Sequence, residues 1–219
     1  DEDIGLQGRA RVFAVLLGRE SGNPNGCRRV GSSCDDFAGR ALIEQRRCTT
    51  AERLLAGDAT ADGGDMFWLD ATTLAVGRSY RTNDAAIDQL RQILEPDVTV
   101  TAFDIPHGLG PDFCLHLMSV VSPVREDLAV VYEPLAPVRL LHELHTRGVE
   151  VLPLPEEDNL TLGCNVLAIR PGVAVIASGN DATVALLRDH GVEVHVYEAS
   201  EISKGEGGPT CLTRPLLRG

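Results

Sequence analysis

The chain has 219 residues and a formal net charge of −12, which comes from 20 basic and 32 acidic residues. This length allows one large domain or two small ones, with enough chain to bury a sizeable core. The 43% hydrophobic content excludes a disordered tail. No apolar run of about 18 residues occurs, so no transmembrane helix is expected. The acidic balance argues against binding to nucleic acid or to an anionic membrane.

The N-terminus and the cysteines bear on the compartment. The opening Asp-Glu-Asp lacks the basic and apolar regions of a secretory signal, so a cytoplasmic protein is expected. In a chain of this length without an export signal, free thiols are favoured over disulfides. Neither a Cys-x-x-Cys nor a His-Glu-x-x-His spacing is present, so a structural zinc site is not expected. The six cysteines stand at positions 27, 34, 48, 114, 164 and 211.

The pattern of the chain changes near residue 62. Residues 1–62 are almost neutral, with nine Arg and ten acidic residues, and their apolar spacing is weakly periodic. Residues 63–219 carry 11 basic and 22 acidic residues and show regular periodicity. We therefore predict a divergent or damaged N-terminal segment over 1–62 and a regular α/β region over 63–219.

The α/β region repeats the order strand, strand, helix, strand, with second strands that begin at 73, 127 and 173. A period of about 50 residues indicates a repeat architecture rather than an alternating doubly wound sheet. An ordinary α/β sandwich with a coincidental rhythm is the alternative. The predicted strands cover 66–70, 73–79, 98–105, 113–121, 127–132, 149–154, 164–169, 173–178 and 192–197, and the predicted helices cover 83–94, 137–147 and 181–190.

Four short stretches carry candidate chemistry: DGGD (62–65), YRTN (80–83), CLHLMS (114–119) and GEGGPTCLTRPL (205–216). Taken singly, each has a common structural explanation, such as a turn, a core histidine or a buried thiol. Together they place Asp65, His116 and Cys211 at the edges of different elements. A thiolate nucleophile, a histidine that moves protons and an orienting carboxylate are the parts of covalent catalysis.

The stretch GGDMFWLDATTLAVGRSYRTN, the segments CLHLMS and GCNVLAI, and the C-terminal GGPTCLTRPLLR resemble the amidinotransferase superfamily. The resemblance is strongest to its arginine deiminase and dimethylarginine dimethylaminohydrolase branch, and it extends from about residue 60 to the C-terminus. It implies the pentein fold, an α/β propeller of five ββαβ modules, which agrees with the three repeats. It also implies a small cationic guanidinium substrate and no metal or organic cofactor.

The resemblance implies a role for individual residues. Cys211 matches the family's nucleophile, His116 its catalytic histidine, and Asp65 the carboxylate that holds the guanidinium and supports the histidine. Arg81 matches an arginine that contacts the substrate's carboxylate. Two further residues are candidates for substrate binding: Asn165, which lies in a stretch that the family shares, and Arg214, which follows the nucleophile.

The implied reaction is hydrolysis of a C–N bond in arginine or an N-methylated arginine, through a covalent thiouronium on Cys211, to give citrulline. An amidinotransferase, in which an amine replaces water, is one alternative. A catalytically inactive pentein that acts as a binding module is another.

One expected motif is missing. The family has a Phe-x-x-Asp motif before its GGD segment, and neither FAVL (13–16) nor FAGR (37–40) supplies that carboxylate. Five modules of about 50 residues also exceed this chain, so the propeller is expected to be incomplete or divergent at its N-terminus. A shortened pair of modules, a fragment or out-of-frame reading, and a lineage without the substrate pocket are the three explanations. Open strand edges would favour association, so a homo-oligomer is one expectation.

Overall fold

The structure, a computed structural model, describes residues 55–113, 115–201 and 207–213. These residues form three small sheets with helices. The strands are β1 (Met66–Trp68), β2 (Thr73–Arg78), β3 (Thr99–Asp104), β4 (Val121–Arg125), β5 (Leu128–Val131), β6 (Glu150–Pro153), β7 (Leu167–Arg170), β8 (Val173–Ala177) and β9 (Glu193–Tyr197). The α-helices are α1 (Asp84–Leu94), α2 (Leu117–Val120), α3 (Val138–Thr146) and α4 (Asp181–Asp189).

The three sheets share one topology. In each, the first strand pairs antiparallel with the second, and the second pairs parallel with the third: β1-β2-β3, β4-β5-β6 and β7-β8-β9. A parallel pair needs a crossover connection, and α1, α3 and α4 supply it in the three units. The predicted repeat of strand, strand, helix and strand is therefore confirmed for the described residues. Closure of these sheets into a propeller stays a prediction.

Apolar clusters join each sheet to the next. The first and second sheets share a buried cluster, and the second and third sheets share another. Helix α2 lies in the first of these clusters, and the turn before β7 contributes to the second. These two segments carry candidate site residues, so core packing sets their positions. The first cluster contains Phe67, Ala75, Phe103, Leu117, Val120, Val121, Ala129, Val131, Leu140 and Leu144; the second contains Val124, Leu128, Val130, Leu152, Leu154, Cys164, Val166, Ala174, Ile176, Val184, Leu187, Val192 and Val194.

The prediction of a strand over 113–121 is wrong. The structure has the short helix α2 at Leu117–Val120, and the strand begins only at Val121. A short apolar run fits a buried strand and a buried helical turn equally well, so periodicity could not separate them. The strand β4 contains Pro123, which its position at the edge of its sheet tolerates. His116 therefore precedes a helix instead of lying within a strand.

The structure describes only the last residues of the predicted N-terminal segment. Residues 1–54, which make up most of the divergent segment predicted over 1–62 and include the FAVL and FAGR stretches, lie outside the described residues. The described residues before the GGD turn contact the first repeat, since the backbone amides of Ala56 and Asp62 donate to Gln89 and Thr82. None of the helices in the described part of the chain has the length and apolar character that crossing a bilayer requires.

Helix α1 offers a test of the first repeat. Asn83 is its N-cap, as predicted, and its Oδ1 accepts hydrogen bonds from the backbone amides of Ala86 (3.0 Å) and Thr60 (3.2 Å). We expect Asn83→Ala to lower the free energy of unfolding by about 1–2 kcal/mol, because two amides lose their acceptor. Asn83→Asp keeps that acceptor and loses only the hydrogen bond from Nδ2 to the carbonyl of Asp58, so it should be destabilised less than Asn83→Ala. Urea denaturation measures both, and equal losses in the two variants would contradict the capping role.

Candidate active site

The GGD turn and the loop after β2 meet at one edge of the first sheet. Because β1 and β2 are antiparallel, with Met66 opposite Val76, the start of β1 lies beside the end of β2. The 3₁₀ turn Gly63–Asp65 precedes β1, and the YRTN segment follows β2. The sheet thus brings together two of the four stretches that the sequence singled out.

Asp65 is a completely buried carboxylate at this edge. Its Oδ2 accepts hydrogen bonds from the hydroxyls of Ser79 (2.6 Å) and Thr82 (2.7 Å). Its Oδ1 accepts one from the backbone amide of Leu117 (2.9 Å), the residue after His116. Buried charges persist where such bonds compensate for the lost hydration. Asp65 therefore joins the GGD turn, the YRTN loop and the start of α2.

Asp62, three residues earlier, is the carboxylate that contacts the imidazole of His116. The distance from His116 Nε2 to Asp62 Oδ2 is 3.2 Å, and the Asp62 side chain keeps 42% of its surface exposed. The hydrogen bond from His116 lowers the pKa of Asp62 most; burial opposes this shift, and the charges of His116 and Arg81 add to it. Sequence analysis missed Asp62, although it is the first residue of the DGGD stretch.

The position of His116 depends on a glycine. A Cβ built on Gly64 would lie 2.6 Å from Nδ1 of His116, so only glycine lets the ring approach the turn this closely. On the other side, the backbone amide of His116 donates to the hydroxyl of Ser119 (3.0 Å). The imidazole is 17% exposed, which leaves it partly open to a ligand or to water.

Cys211 is exposed and lies against the Asn165 side chain. Asn165 Nδ2 is 3.1 Å from Cys211 Sγ. A Cβ on Gly208 would lie 2.4 Å from Cγ of Asn165, which accounts for a glycine at this point of the Gly-rich loop. Tyr197, at the end of β9, has a buried hydroxyl with no hydrogen-bond partner among the described residues. Burial raises the pKa of Tyr197, and the charge of a Cys211 thiolate adds to the rise.

The two halves of the site are connected through β4, the strand that follows α2. The buried hydroxyl of Ser122 donates to the carbonyl of Cys164 (2.5 Å) and accepts from the amide of Val166 (3.3 Å). Asn165 lies between these two residues. The turn that carries Asn165 is thus bonded to the strand that leaves the His116 helix. The predicted strand over 164–169 begins only at Leu167 in the structure, so Asn165 lies in this turn and not in a strand.

Among the described cysteines, Cys164 differs from Cys211. Cys164 is buried among the apolar side chains of the second and third sheets, and burial raises the pKa of its thiol to about 12. Its thiolate is therefore absent at neutral pH. Cys114 and the substrate-binding candidate Arg214 lie outside the described residues.

A cleft of about 230 Å³ adjoins the site, and Leu115, the residue before His116, is part of its wall. The Tyr80 hydroxyl lies 2.7 Å from Nδ1 of His107 across this cleft. The turn that holds His116 therefore offers a carboxylate–imidazole pair and the positive charge of Arg81, and the C-terminal loop offers the exposed thiol of Cys211. A thiol can attack a carbon, and an imidazole can transfer a proton. A carboxylate and a guanidinium can bind a ligand that carries a positive and a negative group.

Comparison with known families and proteins points to one group. The family model described as arginine deiminase matches residues 140–218. The arginine deiminase of Clostridium perfringens (strain SM101 / Type A) is 32% identical over 195 residues, which cover 72% of this chain and 46% of that protein. The chain thus spans about half the length of the curated relatives it matches.

Two solved structures share the fold. SxtG, an amidinotransferase from Microseira wollei, superposes with a TM-score of 0.68 at 17% identity, over 84% of this chain and 62% of that chain. The dimethylarginine dimethylaminohydrolase from Pseudomonas aeruginosa, complexed with citrulline, superposes with a TM-score of 0.59 at 18% identity. That match covers 78% of this chain and 63% of the other. The likeness is one of mixed α/β architecture with small sheets.

Proposed function

The chain belongs to the superfamily of amidinotransferases, arginine deiminases and dimethylarginine dimethylaminohydrolases, and on that premise we propose that it hydrolyses a C–N bond of a guanidinium substrate. The proposed substrate is arginine or an N-methylated arginine, and the product is citrulline. The observation that carries the proposal is the contact between Asp62 and His116, 3.2 Å long, beside the charge of Arg81. It supplies a proton-transfer group and charges of both signs next to the buried anchor Asp65.

Substrate binding is assigned to Asp62 and Arg81. A guanidinium is a planar cation that pairs with carboxylates, and Asp62 is an ionised and partly exposed carboxylate. Asp65, which the sequence pattern suggested for this role, already accepts three hydrogen bonds from the protein. We therefore propose Asp65 as a positioning residue that holds the backbone beside His116. Arg81 would bind the carboxylate of the amino acid.

The proposed chemistry has two steps. The Cys211 thiolate attacks the guanidinium carbon, a C–S bond forms, and the C–N bond breaks while the His116 imidazolium gives its proton to the leaving ammonia or amine. A thiouronium remains on Cys211. Water then attacks the same carbon as His116 takes one of its protons. The C–S bond breaks, the second proton of the water passes to solvent or to the released ammonia or amine, and the ureido product and the thiolate are released.

We also infer that the three ββαβ units are part of a pentein propeller. The common topology of the three sheets and the apolar clusters between neighbouring sheets support this arrangement. In such a propeller, the Cys211 loop and the His116 turn would lie at the same end of the central axis.

Labelling with a haloacetamidine, an alkylating mimic of a guanidinium, tests the proposal. We expect selective modification of Cys211, seen by intact-protein and peptide mass spectrometry, because the thiol is exposed and the site binds amidinium cations. Arginine should slow the labelling, and Cys211→Ser should abolish it. Cys164 is the internal reference, because its buried thiol stays protonated at neutral pH.

Two results would contradict the proposal. One is labelling of Cys211 that is no faster than labelling of Cys164. The other is the absence of citrulline or ammonia after incubation with arginine and its N-methylated derivatives. Transfer of the amidino group to an added amine, without formation of citrulline by hydrolysis, would identify the amidinotransferase alternative.

A further inference from the structure

The orientation of the Asn165 amide is determined by Thr210. The Asn165 oxygen Oδ1 accepts a hydrogen bond from the Thr210 backbone amide at 2.9 Å and another from the Thr210 hydroxyl at 2.7 Å. A backbone N–H can only donate, so the amide atom that faces it must be oxygen. The amino group Nδ2 is therefore turned to the other side, where Cys211 Sγ lies at 3.1 Å.

A hydrogen bond of this kind distinguishes the two ionisation states of the sulfur. A neutral thiol is a weak acceptor, whereas a thiolate is a strong one. A fixed N–H donor therefore stabilises the anion more than the thiol. We propose that Asn165 is a catalytic residue that stabilises the Cys211 thiolate through Nδ2, rather than a residue that binds substrate. This inference rests on the proposed role of Cys211 as nucleophile.

The surroundings hold Asn165 in this position. Its side chain is buried, with 7% of the residue exposed, and Gly208 packs against its amide. The hydrogen bonds of Ser122 to Cys164 and Val166 fix the backbone on both sides of it. Because the donor is already oriented, little reorganisation is needed when the thiolate forms. The sequence could not assign this contact, because the two residues are 46 positions apart.

Tyr197 is a titratable residue whose pKa is affected by the charge of Cys211. The pKa of Tyr197 on β9 is raised above its ordinary value of 10.0, by burial first and then by the thiolate charge. Tyr197 is consequently neutral across the range in which a cysteine titrates. It adds no charge that could mimic the effect of Asn165.

The test is the pH profile of Cys211 alkylation by iodoacetamide, a neutral reagent with no guanidinium character, followed by peptide mass spectrometry. Asn165→Asp keeps the shape and the oxygen that accepts from Thr210, but replaces the donor with an anionic oxygen. We expect the midpoint of its profile to rise by more than one pH unit, and alkylation at pH 7 to slow by about tenfold or more. At high pH, where both proteins carry the thiolate, the rates should converge.

Two further variants separate this effect from a loss of structure. Asn165→Ala removes the donor without adding charge and should give a smaller upward shift. Asn180→Asp is the matched control, because Asn180 is a buried asparagine of the same repeat whose Nδ2 donates to the carbonyls of Thr161 and Ala177. The Asn180→Asp protein should unfold at a lower temperature, yet the midpoint of its Cys211 alkylation pH profile should equal that of the wild type.

An unchanged midpoint in both Asn165→Asp and Asn165→Ala would overturn the inference, as would an equal shift in Asn180→Asp. Because iodoacetamide does not depend on substrate recognition, the result is independent of the proposed reaction. A shifted midpoint together with no citrulline from the wild-type protein would support the stabilisation of the Cys211 thiolate by Asn165 and reject the proposed reaction alone.

Discussion

Asp62→Asn is expected to remove most of the citrulline-forming activity while the fold remains intact. The substitution keeps the size of the side chain, but it removes the negative charge 3.2 Å from the His116 ring and beside Arg81. In the proposed reaction, both the binding of the cation and the proton transfer by His116 depend on that charge. Since acid–base catalysis contributes about 10²- to 10⁴-fold to a rate, we expect kcat/KM to fall by about 10²-fold or more.

Asp58→Asn is the matched control. Asp58 is an exposed carboxylate four residues earlier, and its replacement changes the net charge by the same amount. It should leave kcat/KM unchanged. An Asp62→Asn protein with activity close to that of the wild type would contradict the assignment of the Asp62–His116 pair.

The same pair gives Asp62 a pH signature in stability. The hydrogen bond from His116 lowers the pKa of Asp62 below its ordinary value of 3.8. Because this pKa is lower in the folded than in the unfolded protein, ionised Asp62 stabilises the fold fully at pH values above the ordinary pKa. This stabilisation is lost as the pH falls through the pKa of Asp62 in the folded protein. The Asp62→Asn protein should therefore show a weaker dependence of unfolding free energy on pH in the acid range, as measured by urea denaturation.

Asp65→Ala is expected to reduce stability rather than to act on the chemistry directly. The change leaves the Leu117 amide and the hydroxyls of Ser79 and Thr82 without their acceptor in a buried site. At about 1–3 kcal/mol for each unsatisfied buried group, with hydroxyls able to reorient, the loss should be about 3–5 kcal/mol. Urea denaturation of the purified variant measures this loss.

Asp65→Asn separates the two roles discussed for this residue. The amide keeps Oδ1 for Leu117 and can donate to the Thr82 hydroxyl, whereas the Ser79 hydroxyl already accepts from the amides of Arg81 and Thr82, so it should recover only part of the lost stability. Activity per folded molecule should then remain measurable. If Asp65→Ala were as stable as the wild type and yet inactive, Asp65 would be the substrate carboxylate that the sequence pattern suggested.

Local patterns in the sequence were enough to predict the three repeats. Each second strand is an apolar run, each following helix has apolar residues at helical spacing, and Asn83 caps α1 as its sequence position indicates. Such features depend on residues only a few positions apart, so they can be derived without knowledge of the fold. The segments around His116 and Asn165 were exceptions, since a short apolar run is compatible with a strand, a helical turn or a buried turn.

The sequence by itself therefore determined the repeated ββαβ units and the short stretches that carry the candidate site residues, although it did not single out Asp62. The tertiary structure decided which of them meet: it buried Asp65 beneath Leu117, 52 residues away, placed Asp62 against His116, and set Asn165 against Cys211. The physical reason is that side-chain spacing governs contacts within an element. Which of two neighbouring carboxylates faces a distant imidazole depends instead on how separate turns are packed and hydrogen-bonded together.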